Sequence, residues 1–154
     1  MDGREENFSH ESGKQTQKLA RGAIEEARMV LPGIQALFGF QLIAVFNNRF
    51  LEISAFEQRL HLSAALLIAI AIALIMTPAA YHRQAEPRTA TDFFVKLTSI
   101  LITAAMVPLM IGLCLDVYIL ADLILDDVNA SLWIASLLLA FFAALWFLLP
   151  NVLR

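Results

Sequence analysis

The sequence predicts an all-α fold, a polytopic transmembrane four-helix bundle, and three observations carry that prediction. Uncharged apolar blocks occupy residues 29–46, 62–81, 97–115 and 128–149, and a helix needs roughly 17–25 residues to cross a hydrocarbon core. The chain is 59% hydrophobic and 16% charged with a mean hydropathy of +0.69, far from the charged quarter typical of a water-soluble domain. The residues outside the blocks also supply too few amphipathic helices to cover four buried ones in water.

Charge asymmetry orients the bundle. Lys and Arg occupy positions 4, 14, 18, 21 and 28 before the first block, 83, 88 and 96 between the second and third, and 154 after the fourth; only Arg49 and Arg59 fall on the opposite side. By the positive-inside rule both termini and the middle loop are cytoplasmic, an N-in/C-in topology. So strong a bias argues against insertion both ways round. Trp133 and Tyr118 fall near the outer ends of their blocks, and Tyr81 and Trp146 near the inner ends, at the headgroup depth that suits such rings. The net charge of −3 comes with no basic cluster, so no nucleic-acid partner is expected. No cleavable signal peptide precedes the first block, which reads as a retained anchor. The single cysteine, Cys114, excludes an intramolecular disulfide.

Residues 1–17 are polar and aperiodic and predict a disordered cytoplasmic tail; the transmembrane domain is expected over 18–154. Leu19, Ala23, Ala27, Leu31 and Ile34 recur at helical spacing, with Lys18, Arg21, Glu25 and Arg28 on another face. They predict a cytoplasmic amphipathic lead-in that runs into helix one, about 18–47, kinked where Pro32 cannot donate to the carbonyl of Arg28. Ser54 and Glu57 match a capping box that starts helix two, about 55–82, near Ala55. Along that helix Ala65, Ala69, Ala73 and Thr77 recur every four residues, a small-residue stripe that predicts close approach of a neighbouring helix. Gly33, Ala36 and Gly39 make a shorter patch on helix one. Pro78 bends the end of helix two, and Pro87 and Thr89 lie in the middle loop. Helix three, about 92–120, is expected to kink at Pro108, and helix four, about 129–150, is capped by Asn129 and stops at Pro150.

Few side chains in these blocks can do chemistry. Asp116 follows block three on the same helix, about 15 Å from a midpoint near Met106 and so at the outer edge of the hydrocarbon. It is the candidate proton or cation site, with Asp122, Asp126 and Asp127 as an outward negative funnel. Gln35 and Gln41 each require protein or water, because an unpaired amide costs a few kcal/mol in hydrocarbon. Arg28 and Gln35 share a helix face, and His82 and Arg83 end helix two on the side of Glu26 and Arg28. Glu26, Arg28, Gln35, His82 and Arg83 therefore predict an inner polar cluster, against the simpler explanation that cations at a helix C-terminus complement its dipole. His10, His61 and His82 fall in the tail, the outer side and the inner side, so the three cannot meet at one metal or catalytic triad. No catalytic residue, metal or cofactor is predicted, and the chain is not expected to be an enzyme.

At residues 31–42 (LPGIQALFGFQL), at Arg49 and Phe50, and at residues 78–83 (PAAYHR), the chain resembles a family of small four-helix bacterial membrane proteins. That family is one of unknown function, some of whose members carry the name sodium:proton antiporter. The resemblance spans roughly residues 26–83 and implies a bacterial plasma-membrane location without supplying a mechanism.

Two functional readings follow. The first is a structural or interaction component that associates with itself or with another membrane protein through the stripe at Ala65, Ala69, Ala73 and Thr77. The second is a small oligomeric proton or monovalent-cation antiporter, or a transporter subunit, using Asp116 and the inner cluster. In both readings the lipid bilayer is the surrounding partner.

Overall fold

The computed structural model describes residues 2–85 and 91–153, and among these no strand occurs. Helix α1 spans Asp2–Ala44, a single 3-10 turn follows at Asn48–Leu51, and α2 spans Ala55–Ala85. Helix α3 spans Asp92–Leu125, and α4 spans Val128–Ala143 before passing through a five-residue π turn, Ala144–Leu148, into a last short stretch, Leu149–Val152. Four segments, Lys14–Ala44, Ala55–Gln84, Asp92–Leu125 and Val128–Val152, are long and apolar enough to cross a membrane. Large apolar side chains cover the outside of the bundle, Phe46 at 87% exposure and Trp133 at 70% among them. That surface suits acyl chains rather than water.

Local chemistry sets the helix ends. The capping box forms: Ser54 N–H donates to Glu57 Oε2 at 2.7 Å and Glu57 N–H to Ser54 Oγ at 3.2 Å. Thr91 caps α3 by accepting from Phe94 N–H at 3.2 Å. Pro87 and Thr89 lie outside the described residues.

Three expectations are corrected. Residues 2–17 are helical rather than a disordered tail, since propagation adds a hydrogen bond per residue and their Glu, Gln, Lys and Arg are good helix formers. Helix α3 runs to Leu125 rather than 120, because the apolar residues among its late aspartates keep the helical period. Asp127, not Asn129, caps α4: its carboxylate accepts from the backbone N–H groups of Asn129 and Ala130 at 2.9 and 3.3 Å. The α3–α4 turn is thus only Asp126 and Asp127, with Asp126 in the left-handed region at φ 51°.

Helices α2 and α3 share the largest interface, α1 lies against both, and α4 packs on α3. The buried line on α2 is Ala64, Ile68, Ala71 and Ile75, and it meets Ala105 of α3 and Ile34 of α1. At Gly112 the α3 backbone comes so near α2 that an added Cβ would stand 3.0 Å from Ile68 Cγ1 and 3.2 Å from the Ala64 carbonyl oxygen. The stripe expected to pack lies beside this seam. Ala65 and Ala69 are half-buried, whereas Ala73 and Thr77 face outward, so within one chain that stripe is not the contact face.

Candidate functional site

Three polar side chains from three helices converge near the end of the bundle that carries the α1–α2 and α3–α4 turns. Gln41 comes from the last turn of α1, His61 from the second turn of α2, and Asp116 from α3. Because α3 extends to Leu125, Asp116 lies about 14 Å in from the helix end. Gln41 is only 5% exposed. Its Nε2 donates to Asp116 Oδ2 at 2.5 Å, and its backbone carbonyl oxygen faces His61 Nε2 at 2.9 Å. His61 Nδ1 faces Asp116 Oδ1 at 3.6 Å. The other amide oxygen, Gln41 Oε1, is enclosed and has no hydrogen-bond donor.

The α1–α2 connection roofs this site. Phe50 sets its ring edge-on to the His61 imidazole with centroids 5.3 Å apart. Gln58 holds the connection in place by donating to the carbonyl oxygens of Phe50 and Ile53 at 3.2 and 3.3 Å. Beneath it an open cavity of about 530 Å³ lies between α1 and α3, with Gln41, His61 and Asp116 on its floor and Leu37, Phe40, Ile119 and Leu120 on its walls. A second cavity of about 440 Å³ lies between α1 and α2 and shares Gln41, Phe50 and His61. Beside the first is a polar depression of about 570 Å³ formed by Glu52, Glu57, Asp122 and Asp126. Of the three aspartates expected to form a negative funnel, Asp122 and Asp126 share this depression with Glu52 of the α1–α2 connection and Glu57 of α2, while Asp127 caps α4.

The inner cluster does not assemble. Glu26, Arg28, Gln35 and Arg83 are all exposed. Arg28 lines a small crevice of about 60 Å³ with Leu31, Pro78 and Thr98. His82 is half-buried against Phe94, ring centroids 5.2 Å apart, and its Nδ1 is enclosed without a partner. Of the candidate residues, Asp116 alone enters a polar constellation. Gln41 required protein or water on sequence grounds, and its Nε2 has a protein partner in Asp116. His61 joined the constellation without any sequence signal beyond its position on the same side of the membrane. Among the described residues no three His, Cys, Asp or Glu side chains gather closely enough to hold a metal ion.

The fold and this site define a class: a helical protein compatible with multi-pass insertion, carrying one enclosed acid, base and amide in an apolar groove. Residues 12–150 match the family described as "Family of unknown function (DUF6328)", and the chain belongs to that family. No curated protein and no solved structure matches it.

Proposed function

We propose that the protein is a small membrane carrier, or a carrier subunit, that exchanges a cation for a proton at Gln41, His61 and Asp116. The observation that supports this reading is the donor and acceptor balance at His61. Nε2 faces a backbone carbonyl oxygen, which only accepts, so Nε2 carries a hydrogen. Nδ1 faces the Asp116 carboxylate, and that approach is attractive only while a further proton resides on Nδ1 or on the carboxylate. The pair thus stores one proton among apolar helices, and a cation arriving at Asp116 takes its place. Gln41 from α1 and His61 from α2 face the carboxylate; on α3 its neighbours within a turn are uncharged, and Glu57 and Asp122 line the acidic depression beyond. In this reading the depression is extracytoplasmic, both termini are cytoplasmic and the membrane is a bacterial plasma membrane, following the charge bias.

Proteoliposomes with an imposed pH gradient and an entrapped pH dye test the proposal. External cation is expected to collapse the gradient with the native chain, and Asp116→Asn or His61→Gln to return the rate to that of protein-free vesicles. No flux by the native chain, or equal flux by both variants, overturns it.

A second reading, an interaction component that self-associates, is favoured by a separate observation. Gln35 is exposed on the membrane span of α1, and at its neighbours Gly33 and Gly39 an added Cβ would meet nothing within 4 Å. An amide at that depth requires a hydrogen-bonding partner, and the same glutamine of a second copy would supply one. Gln35→Leu is expected to weaken chemical cross-linking in membranes; unchanged cross-linking removes this reading.

A further inference from the structure

We infer that the cation taken by this site is an ammonium group bearing N–H donors on an apolar body, an inference that rests on the exchange reading above. Once its proton leaves, the site presents two acceptors 3.6 Å apart, Asp116 Oδ1 and the lone pair of His61 Nδ1. The imidazole cannot turn that lone pair away without losing the bond from Nε2 to the Gln41 carbonyl. One ammonium nitrogen reaches both acceptors, and its N–H bonds supply the directed donors they lack. The exchange balances. Before binding the pair holds one proton between Nδ1 and the carboxylate; afterwards the ammonium is the counter-ion of the carboxylate, the imidazole keeps only its hydrogen on Nε2, and the proton has passed to water.

The surroundings disfavour a hard divalent ion. Such cations take about six or more oxygen ligands, whereas the side chains lining this cavity offer the carboxylate of Asp116 and the amide of Asn47, with Gln41 Oε1 enclosed. The walls are apolar, so few waters are held there to complete a coordination shell. Those same walls suit an organic body. The cavity of about 530 Å³ falls in the range of roughly 300–1,000 Å³ typical of small-molecule sites. Its rim residues Phe40 and Leu120 are 70% and 55% exposed, so the groove opens sideways between α1 and α3 onto the acyl chains. A ligand enters it from the lipid with its charged end beside the acidic depression, which shares Ile53 and Leu123 with the groove.

A free amphiphilic amine and the headgroup of an ethanolamine phospholipid both carry this chemistry. The test measures proton release, with a pH dye in weak buffer, from the full chain in phosphatidylcholine nanodiscs. 4-Phenylbutylammonium chloride is expected to release up to one proton per chain above the release from Asp116→Asn discs. Its N-trimethylated analogue is expected to act at least about tenfold more weakly, having lost its charge-assisted hydrogen bonds. Leu120→Trp, which fills the groove without touching a charge, should weaken phenylbutylammonium by about tenfold and leave methylammonium unchanged; this comparison stands even if Asp116→Asn fails to fold. Repeating the titration with ethanolamine phospholipid in the discs separates the two sources. Suppressed release assigns the site to the headgroup, and undiminished release to the free amine, both in support. Proton release by sodium or potassium chloride but not by phenylbutylammonium overturns the inference and leaves cation exchange standing. Release by none of these salts overturns both.

Discussion

Gln41 ties three helices together through one residue: its side-chain amide holds Asp116 of α3 and its backbone carbonyl holds His61 of α2. Gln41→Leu keeps the bulk and removes the donor. The carboxylate then loses a charge-assisted bond in an apolar setting, and the variant is expected to lose about 1.5–3 kcal/mol of stability, measured as a lowered midpoint in detergent unfolding. The sequence allowed part of this to be read. An amide inside an apolar block has to find a partner, and Asp116 directly follows the third block on the same helix. The meeting of Gln41, His61 and Asp116 was not legible, because periodicity along one helix says which residues share its face but not which way that face turns towards another helix. Glu26, Arg28, Gln35, His82 and Arg83 were grouped by a weaker criterion, a common side of the membrane, which places side chains within a leaflet rather than within reach of one another.

The seam on α2 shows the same limit at the scale of the element. Steps of four residues turn about 400° around a helix, so a row spaced by fours drifts about 40° at each step. The row at Ala65, Ala69, Ala73 and Thr77 therefore starts half-buried and ends facing outward, while the line through Ala64, Ile68, Ala71 and Ile75 alternates steps of four and three and stays on the contact. Gly112→Val is expected to force α3 off this line at a cost of about 1–3 kcal/mol, read by thermal unfolding in detergent. The start of α2 was legible because a capping box is local chemistry. The cap of α4 was misplaced by two residues because aspartate and asparagine two positions apart are both good caps, and the left-handed turn at Asp126 selects Asp127. Asp127→Ala should cost about 1 kcal/mol and fray α4 from that end, seen as faster amide exchange at Asn129 and Ala130.

For the molecule as a whole, hydropathy was enough to place four spans, since each apolar block is long and bounded by charge or turn residues. The orientation proposed from the distribution of Lys and Arg is testable in a Cys114→Ala background. Glu52→Cys is expected to react with an impermeant thiol reagent on intact cells, and Gln15→Cys only after permeabilisation; the reverse pattern inverts the topology. The helices do not contribute equally to the fold. Helix α4 buries only Ser131 and Ala135 and packs chiefly on α3, to which a two-residue turn joins it. Its π turn at Ala144–Leu148 accommodates one more residue than a regular helical turn of the same rise. Removing that surplus, for example by deleting Leu145, should let the helix close into an unbroken α-helix with the residues beyond keeping their orientation. Nothing in the described core depends on the orientation of Pro150 and Asn151, so the deletion is expected to leave thermal stability unchanged. The chain can thus gain or lose a residue near its C-terminal end at little cost, a tolerance that its three other helices, locked by the Gly112 contact and the Asp116 site, do not share.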